Sequence, residues 1–192
     1  MAAVPNLEYC NNRMKGDVMQ ISKLELKNIS YYKQGSQETP CYNATVYVNG
    51  KKAVEVSNDG HGGSDRQFAY PQFMEEWDSH MVNLLQTLDE YCVKTFGTEK
   101  TDWGEIEYDL EHWCQKEMYT AQDRKLLKRN MKKNVMFFEN KEDLSKGKYY
   151  MIKIQNNIMG LIAYIKDKYP QSIILNDMPF DKALKTFRNE VV

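Results

Sequence analysis

From Tyr42 to Val56 the chain alternates apolar and polar residues on both sides of Asn49-Gly50, a dipeptide that favours the positive φ angles of a tight hairpin turn. A segment of this kind commits the surrounding chain to an antiparallel sheet. A two-residue loop would set Val48 opposite Lys51, Val46 opposite Ala53 and Ala44 opposite Glu55, which mixes the two faces. A three-residue loop, Asn49-Gly50-Lys51, sets Val48 against Lys52, Val46 against Val54 and Ala44 against Val56, giving one consistently buried face. The pattern therefore predicts a three-residue loop with a type I turn and a glycine bulge. Upstream, Val18 to Lys33 reads as one long strand or two short ones, carrying Ile21, Leu24, Leu26, Ile29 and Tyr31. Residues 1–17 show no period and read as an irregular arm.

The hairpin runs into Ser57 to Tyr70, the most unusual stretch of the sequence, which packs three glycines with Asn58, Asp59, His61, Asp65 and Arg66. Gly60, Gly62 and Gly63 admit positive φ and close backbone approach, and Asn58 and Asp59 bond their own backbone. With a helix expected from Pro71, the loop reads as a candidate anion cradle. In it Asn58, Gly60, His61, Gly62, Gly63 and Arg66 would bind a phosphate or carboxylate through backbone N–H groups and a guanidinium fork. The bland alternative is a geometrically demanding connection with Asp65 and Arg66 paired on its surface. The stretch has neither the Walker A pattern nor the dinucleotide fingerprint. No catalytic residue is assigned. His61 between Asp59 and Asp65 is the candidate general base or metal ligand, since both tasks need an imidazole oriented by a carboxylate. Glu76 with His80, and Asp109 with His112, have helical metal-pair spacing, but a single pair is short of a site. No metal is assigned, and no cofactor is identified.

After Pro71, the residues Met74, Trp77, Met81, Leu84, Leu85, Leu88 and Cys92 predict a helix that Gly97 stops. Asp102 and Glu105, at capping-box spacing, predict a second helix carrying Ile106, Leu110, Trp113, Cys114 and Met118. The helical pattern continues, after a break near Thr120, into Arg124 to Lys133, which holds six bases and no acid. On a helix Lys125, Lys128, Arg129, Lys132 and Lys133 form one basic face, while Leu127 and Met131 point elsewhere. Strands follow at Val135–Phe138 and Lys148–Ile154, then a helix from Ile158 to Tyr169, a short strand Ser172–Leu175 and a closing helix from Pro179 to about Asn189. The fold class is α+β, an antiparallel sheet packed by amphipathic helices. It forms one domain over 18–192, with an acidic 18–122 and a basic 123–192 as its possible lobes.

The formal charge of −1 conceals that asymmetry. Residues 51–122 carry 6 bases and 15 acids, 6 − 15 = −9, and residues 123–192 carry 15 bases and 8 acids, 15 − 8 = +7. The basic segment reads either as a contact for nucleic-acid phosphates or an acidic partner, or as a solvated face neutralised internally by Glu105, Glu107, Asp109, Glu111 and Glu117. No apolar run reaches the roughly 18 residues of a membrane span, which predicts no membrane partner. The start lacks a basic, apolar leader, and the four cysteines contain no Cys-x-x-Cys pair, so the expected location is the cytoplasm.

The hairpin followed by Val-Ser-Asn-Asp-Gly-His-Gly-Gly at 56–63, with Ile-Leu-Asn-Asp-Met-Pro-Phe-Asp at 174–181, resembles a set of small phage and prophage proteins. The resemblance carries no catalytic residue. It implies an accessory factor in a host cytoplasm that binds a host protein complex, a nucleic acid or a signalling nucleotide, including inhibitors of bacterial defence. The leading expectation is a non-enzymatic binding protein, and an oligomer is compatible with it. Two alternatives stand beside it: a metal-dependent phosphoesterase or nuclease-like hydrolase using the 57–66 loop, and a protein-binding inhibitor whose acidic face mimics nucleic acid.

Overall fold

The structure, a computed structural model, describes residues 20–70, 79–101 and 104–190, with the side chains of 79–83 excepted. The predicted arm at 1–17, the helix start at Pro71 with Met74 and Trp77, the Met81 side chain, the Glu76–His80 pair and the Asp102 cap lie outside these bounds. Among the described residues the strands pair antiparallel and the fold is α+β. The chain divides into two units, Met1–Cys114 and Gln115–Val192.

In the first unit β1 (Leu24–Tyr31), β2 (Tyr42–Val48), β3 (Lys51–Asn58) and β4 (Arg66–Ala69) form a meander in sequence order. Ala44, Val46, Val54 and Val56 are buried in the predicted pairing, Val46 with Val54 and Ala44 with Val56. The turn differs from the expectation. Val48 pairs with Lys51 across a two-residue loop in which both Asn49 (φ 50°) and Gly50 (φ 83°) are left-handed. The register shift sits inside the hairpin, between Val46 and Tyr47, so Ala53 and Val54 are both fully buried. A bulge in β3 reconciles the tight turn with the buried face. Asn49 also braces the approach to β1, its Oδ1 accepting from the Ser22 and Lys23 N–H groups at 2.9 and 3.0 Å.

The glycine stretch contains a strand that the sequence reading did not expect. Its loop connects β3 to β4, with Ser57 opposite Arg66. Helix α1 (Ser79–Phe96) follows, burying Leu84, Leu88 and Cys92. The helix predicted from Asp102 is instead a small hairpin, β5 (Thr98–Thr101) with β6 (Gly104–Glu107). Helix α2 begins only at Leu110 and runs unbroken to Met131, across the predicted interruption at Thr120.

In the second unit β7 (Asn134–Phe138) is the middle strand, with β8 (Tyr150–Lys153) and the short β9 (Ile173–Ile174) on its two sides. Alternation along β7 serves two cores. Met136 and Phe138 meet Leu127 of α2, Leu175, and Ala183 and Leu184 of a closing helix that spans Phe180–Phe187. Val135 and Phe137 meet Ile162 and Ile165 of the helix Ile158–Lys168, together with Ile174. In chain order the short helix Lys141–Ser145 between β7 and β8 is α3, Ile158–Lys168 is α4 and Phe180–Phe187 is α5. Asn140 and Asn157 cap α3 and α4, accepting from Asp143 and Gly160 N–H respectively. Asn176 fastens three segments: its Oδ1 accepts from Met136 N–H at 2.8 Å, and its Nδ2 reaches the Met131 and Asn134 carbonyls at 3.2 and 3.1 Å.

Candidate nucleic-acid interface

The glycine loop and the basic segment differ in how far their polar groups are bonded within the protein. In the loop from 58 to 65, Asn58 and Asp65 are buried. The Asp65 carboxylate accepts from the Tyr42 hydroxyl on one oxygen and from Asn58 Nδ2, at 3.0 Å, on the other. Asn58 Nδ2 also reaches the Gly63 carbonyl at 3.2 Å, and its Oδ1 accepts from Gly60 N–H and from Thr39 Oγ1 at 2.9 and 2.7 Å. Burial drives the Tyr42 phenol far above its ordinary range, with Cys114 and Asp65 adding to the effect. It stays a neutral donor.

Three N–H groups of the proposed cradle are engaged as well. Gly60 N–H is bound to Asn58, His61 N–H reaches Asp59 Oδ1 at 3.3 Å, and Gly62 N–H reaches Thr39 Oγ1 at 3.2 Å. The Gly60 carbonyl accepts from the N–H groups of Gln37, Glu38 and Thr39, stitching this loop to the preceding one. A Cβ on Gly60 would stand 2.1 Å from the Gly35 carbonyl oxygen, so the glycine is required by close approach and by its φ of 87°.

Arg66 pairs with Asp59 at 2.9 Å, not with Asp65, and both side chains are more than half exposed. The His61 N–H, followed by Arg66, holds the Asp59 carboxyl below its ordinary range. His61 is itself exposed, 3.5 Å from Asp59. Asp65 points into the interior network instead of toward His61's side of the loop, so the structure does not assemble His61, Asp59 and Asp65 around one point.

The residues that sequence reasoning missed here are Tyr42, Thr39 and Glu111. Glu111, in the first turn of α2, accepts from Asp65 N–H at 3.1 Å, tying the loop to that helix. Burial raises the Glu111 carboxyl above its ordinary value, and the neighbouring Asp65 and Asp109 carboxylates push the same way against that hydrogen bond. The Asp109–His112 pair is likewise engaged: Asp109 Oδ1 accepts from His112 N–H at 2.8 Å as the cap of α2, and the His112 ring meets Glu99 at 2.9 Å. Among the described residues, no three His, Cys, Asp or Glu side chains are grouped to hold a metal ion.

The basic segment is different. Lys125, Lys128 and Arg129 lie on α2 at i, i+3 and i+4, and Lys132 and Lys133 follow in the turn after its last residue, Met131. The five therefore form a helical triplet and a basic turn, where the sequence pattern implied a single helical face. All five are exposed, and among the described residues none has an acidic partner within 4.0 Å. Of the five acids expected to neutralise them, three are engaged elsewhere: Glu105 with Lys100, Glu111 with the Asp65 N–H, and Asp109 with the His112 N–H. Arg124, one residue before the group, is the member that does pair, with Asp181 at 3.2 Å.

No protein-family model matches the chain, and comparisons with curated proteins and with solved structures find no match. Among the described residues no helix is long and apolar enough to cross a membrane.

Proposed function

We propose that the chain is a non-enzymatic binding protein that grips the phosphate backbone of a nucleic acid through Lys125, Lys128, Arg129, Lys132 and Lys133. One observation carries this reading: five cations on successive turns stand exposed, without ion pairs among the described residues, on a chain whose net charge is close to zero. A chain with 27 acids has ample means to neutralise such a group internally, and among the described residues Glu105, Glu111 and Glu99 are bonded to other groups. Each cation placed on a phosphate releases a condensed counterion, which supplies affinity without sequence readout. The resemblance to small phage proteins supports a wider form of the reading, in which the nucleic acid is the shared substrate of a host defence complex.

The glycine loop enters this proposal as scaffold. Its buried Asp65, the bonded N–H groups of Gly60 and Gly62 and its tie to Glu111 support a structural role. The test is a gel-shift titration of a single strand and of a duplex with the wild type and with Lys125→Glu, Lys128→Glu, Arg129→Glu and Lys132→Glu combined. The reading expects binding by the wild type and its loss in the variant, with the helical circular dichroism retained. Equal binding by both proteins would sink it.

A further inference from the structure

The basic turn ends beside a cavity. Ile154 N–H donates to the Lys133 carbonyl at 2.9 Å, and Lys153 stands opposite Asn134 in the β7–β8 register. The chain leaving β8 at that point is Gln155-Asn156-Asn157, which leads into α4. Between β8 and the start of α4 lies a cavity of about 470 Å³, with Ile152 and Leu161 as apolar lining and Lys153, Gln155, Asn156 and Asn157 as polar lining. Its volume falls in the range of small-molecule sites, about 300 to 1,000 Å³, and polar side chains outnumber apolar ones in its lining.

Those polar groups are uncommitted. Among the described residues the Gln155 and Asn156 carboxamides have no hydrogen-bond partner, and Asn157 uses only its Oδ1, on Gly160 N–H at 2.9 Å. Lys153 is exposed and has no ion pair. A carboxamide presents a donor and an acceptor side by side, which matches the edge of an unpaired base. Lys153, opposite Asn134 in the β7–β8 register, offers a further cation for a phosphate.

Resting on the phosphate-backbone reading above, we propose that this cavity takes one nucleotide: its base lies on Ile152 and Leu161, its edge meets the Gln155 and Asn156 carboxamides, and its phosphate meets Lys153. The base of a duplex is stacked and paired and cannot enter, so the ligand is a single strand or a free nucleotide.

The test compares a single-stranded oligonucleotide of about 12 nucleotides with an abasic strand of the same phosphate count, by fluorescence anisotropy. Wild-type protein is expected to prefer the base-carrying strand by about tenfold, the worth of one good base contact. Gln155→Ala with Asn156→Ala changes two exposed side chains that bond nothing among the described residues. This variant is expected to bind the base-carrying strand only as well as wild type binds the abasic one. Equal affinity of wild type for the two strands, or an undiminished preference in the variant, overturns the cavity assignment while leaving the backbone reading intact. Failure to bind either strand overturns the backbone reading itself. A titration with adenosine monophosphate separates the sources: saturation at concentrations comparable to the strand assigns the cavity to a free nucleotide, and absence of saturation assigns it to a strand.

Discussion

Met118 and Leu127 are both fully buried, yet they stand on opposite sides of α2. Nine residues separate them, about two and a half helical turns. Upstream the helix buries the side that carries Leu110, Cys114 and Met118. Downstream it buries Leu127 against Met136 and Phe138, and the side of Met118 continues as Lys125, Lys128 and Arg129. The exchange of faces is what leaves these cations in solvent. Leu127→Ala is accordingly expected to cost about 2–5 kcal/mol in denaturant unfolding, whereas Lys125→Glu, Lys128→Glu or Arg129→Glu should each stay within about 0.5 kcal/mol of wild type. A large loss from the charge changes would give the cations a structural task.

Gly60 and Gly63 share nearly the same φ, 87° and 83°, but differ in surroundings. An alanine at 63 meets open space and pays only the left-handed backbone cost of about 1–2 kcal/mol. At 60 it also drives a methyl into the Gly35 carbonyl. Thermal melts should therefore rank Gly60→Ala well below Gly63→Ala, and equal midpoints would mean that the two loops are not locked together.

Asn176 satisfies one backbone N–H and two carbonyls with a single side chain. Asn176→Ala leaves those groups without partners, at about 1–3 kcal/mol for a buried one. Asn176→Asp is expected to be worse, since it keeps the acceptor but turns a carboxylate oxygen toward the Met131 and Asn134 carbonyls. Urea midpoints in the order wild type, Ala, Asp check this.

Because the folded Glu111 carboxyl titrates above its ordinary value of 4.5, the native state holds the proton more tightly than the unfolded chain. Its favourable contribution is present below about pH 4.5 and is lost as pH rises through the raised folded value. Glu111→Gln keeps an acceptor for Asp65 N–H and cannot ionise. Its stability relative to wild type should therefore rise between pH 4 and pH 7, and a parallel pH profile for the two proteins would contradict the assignment.

The buried faces of β2, β3 and β7 were legible because alternation and burial coincide there. The parts that escaped reading have physical reasons. In β4 only Ala69 is buried and Phe68 is exposed, so the strand carries no apolar signal. Strands β5 and β6 carry Ile106 as their one large apolar residue, itself exposed. Helix α2 looked broken because its apolar stripe changes sides. The loop was correctly singled out as unusual, but three glycines with Asn and Asp serve a ligand or a close-packed turn equally well by composition. Only the partners of Asn58 and Asp65 distinguish them. The second resemblance motif has a parallel explanation in Asn176, whose side chain is structural.

The most direct measurement is the salt dependence of single-strand binding. Five cations on five phosphates of a single strand predict a slope of log K against log salt of about −3.5, reduced toward zero when Lys125, Lys128, Arg129 and Lys132 are changed to Glu. A slope near zero for the wild type, or the same slope in both proteins, would contradict the assignment of this basic segment to a nucleic-acid backbone.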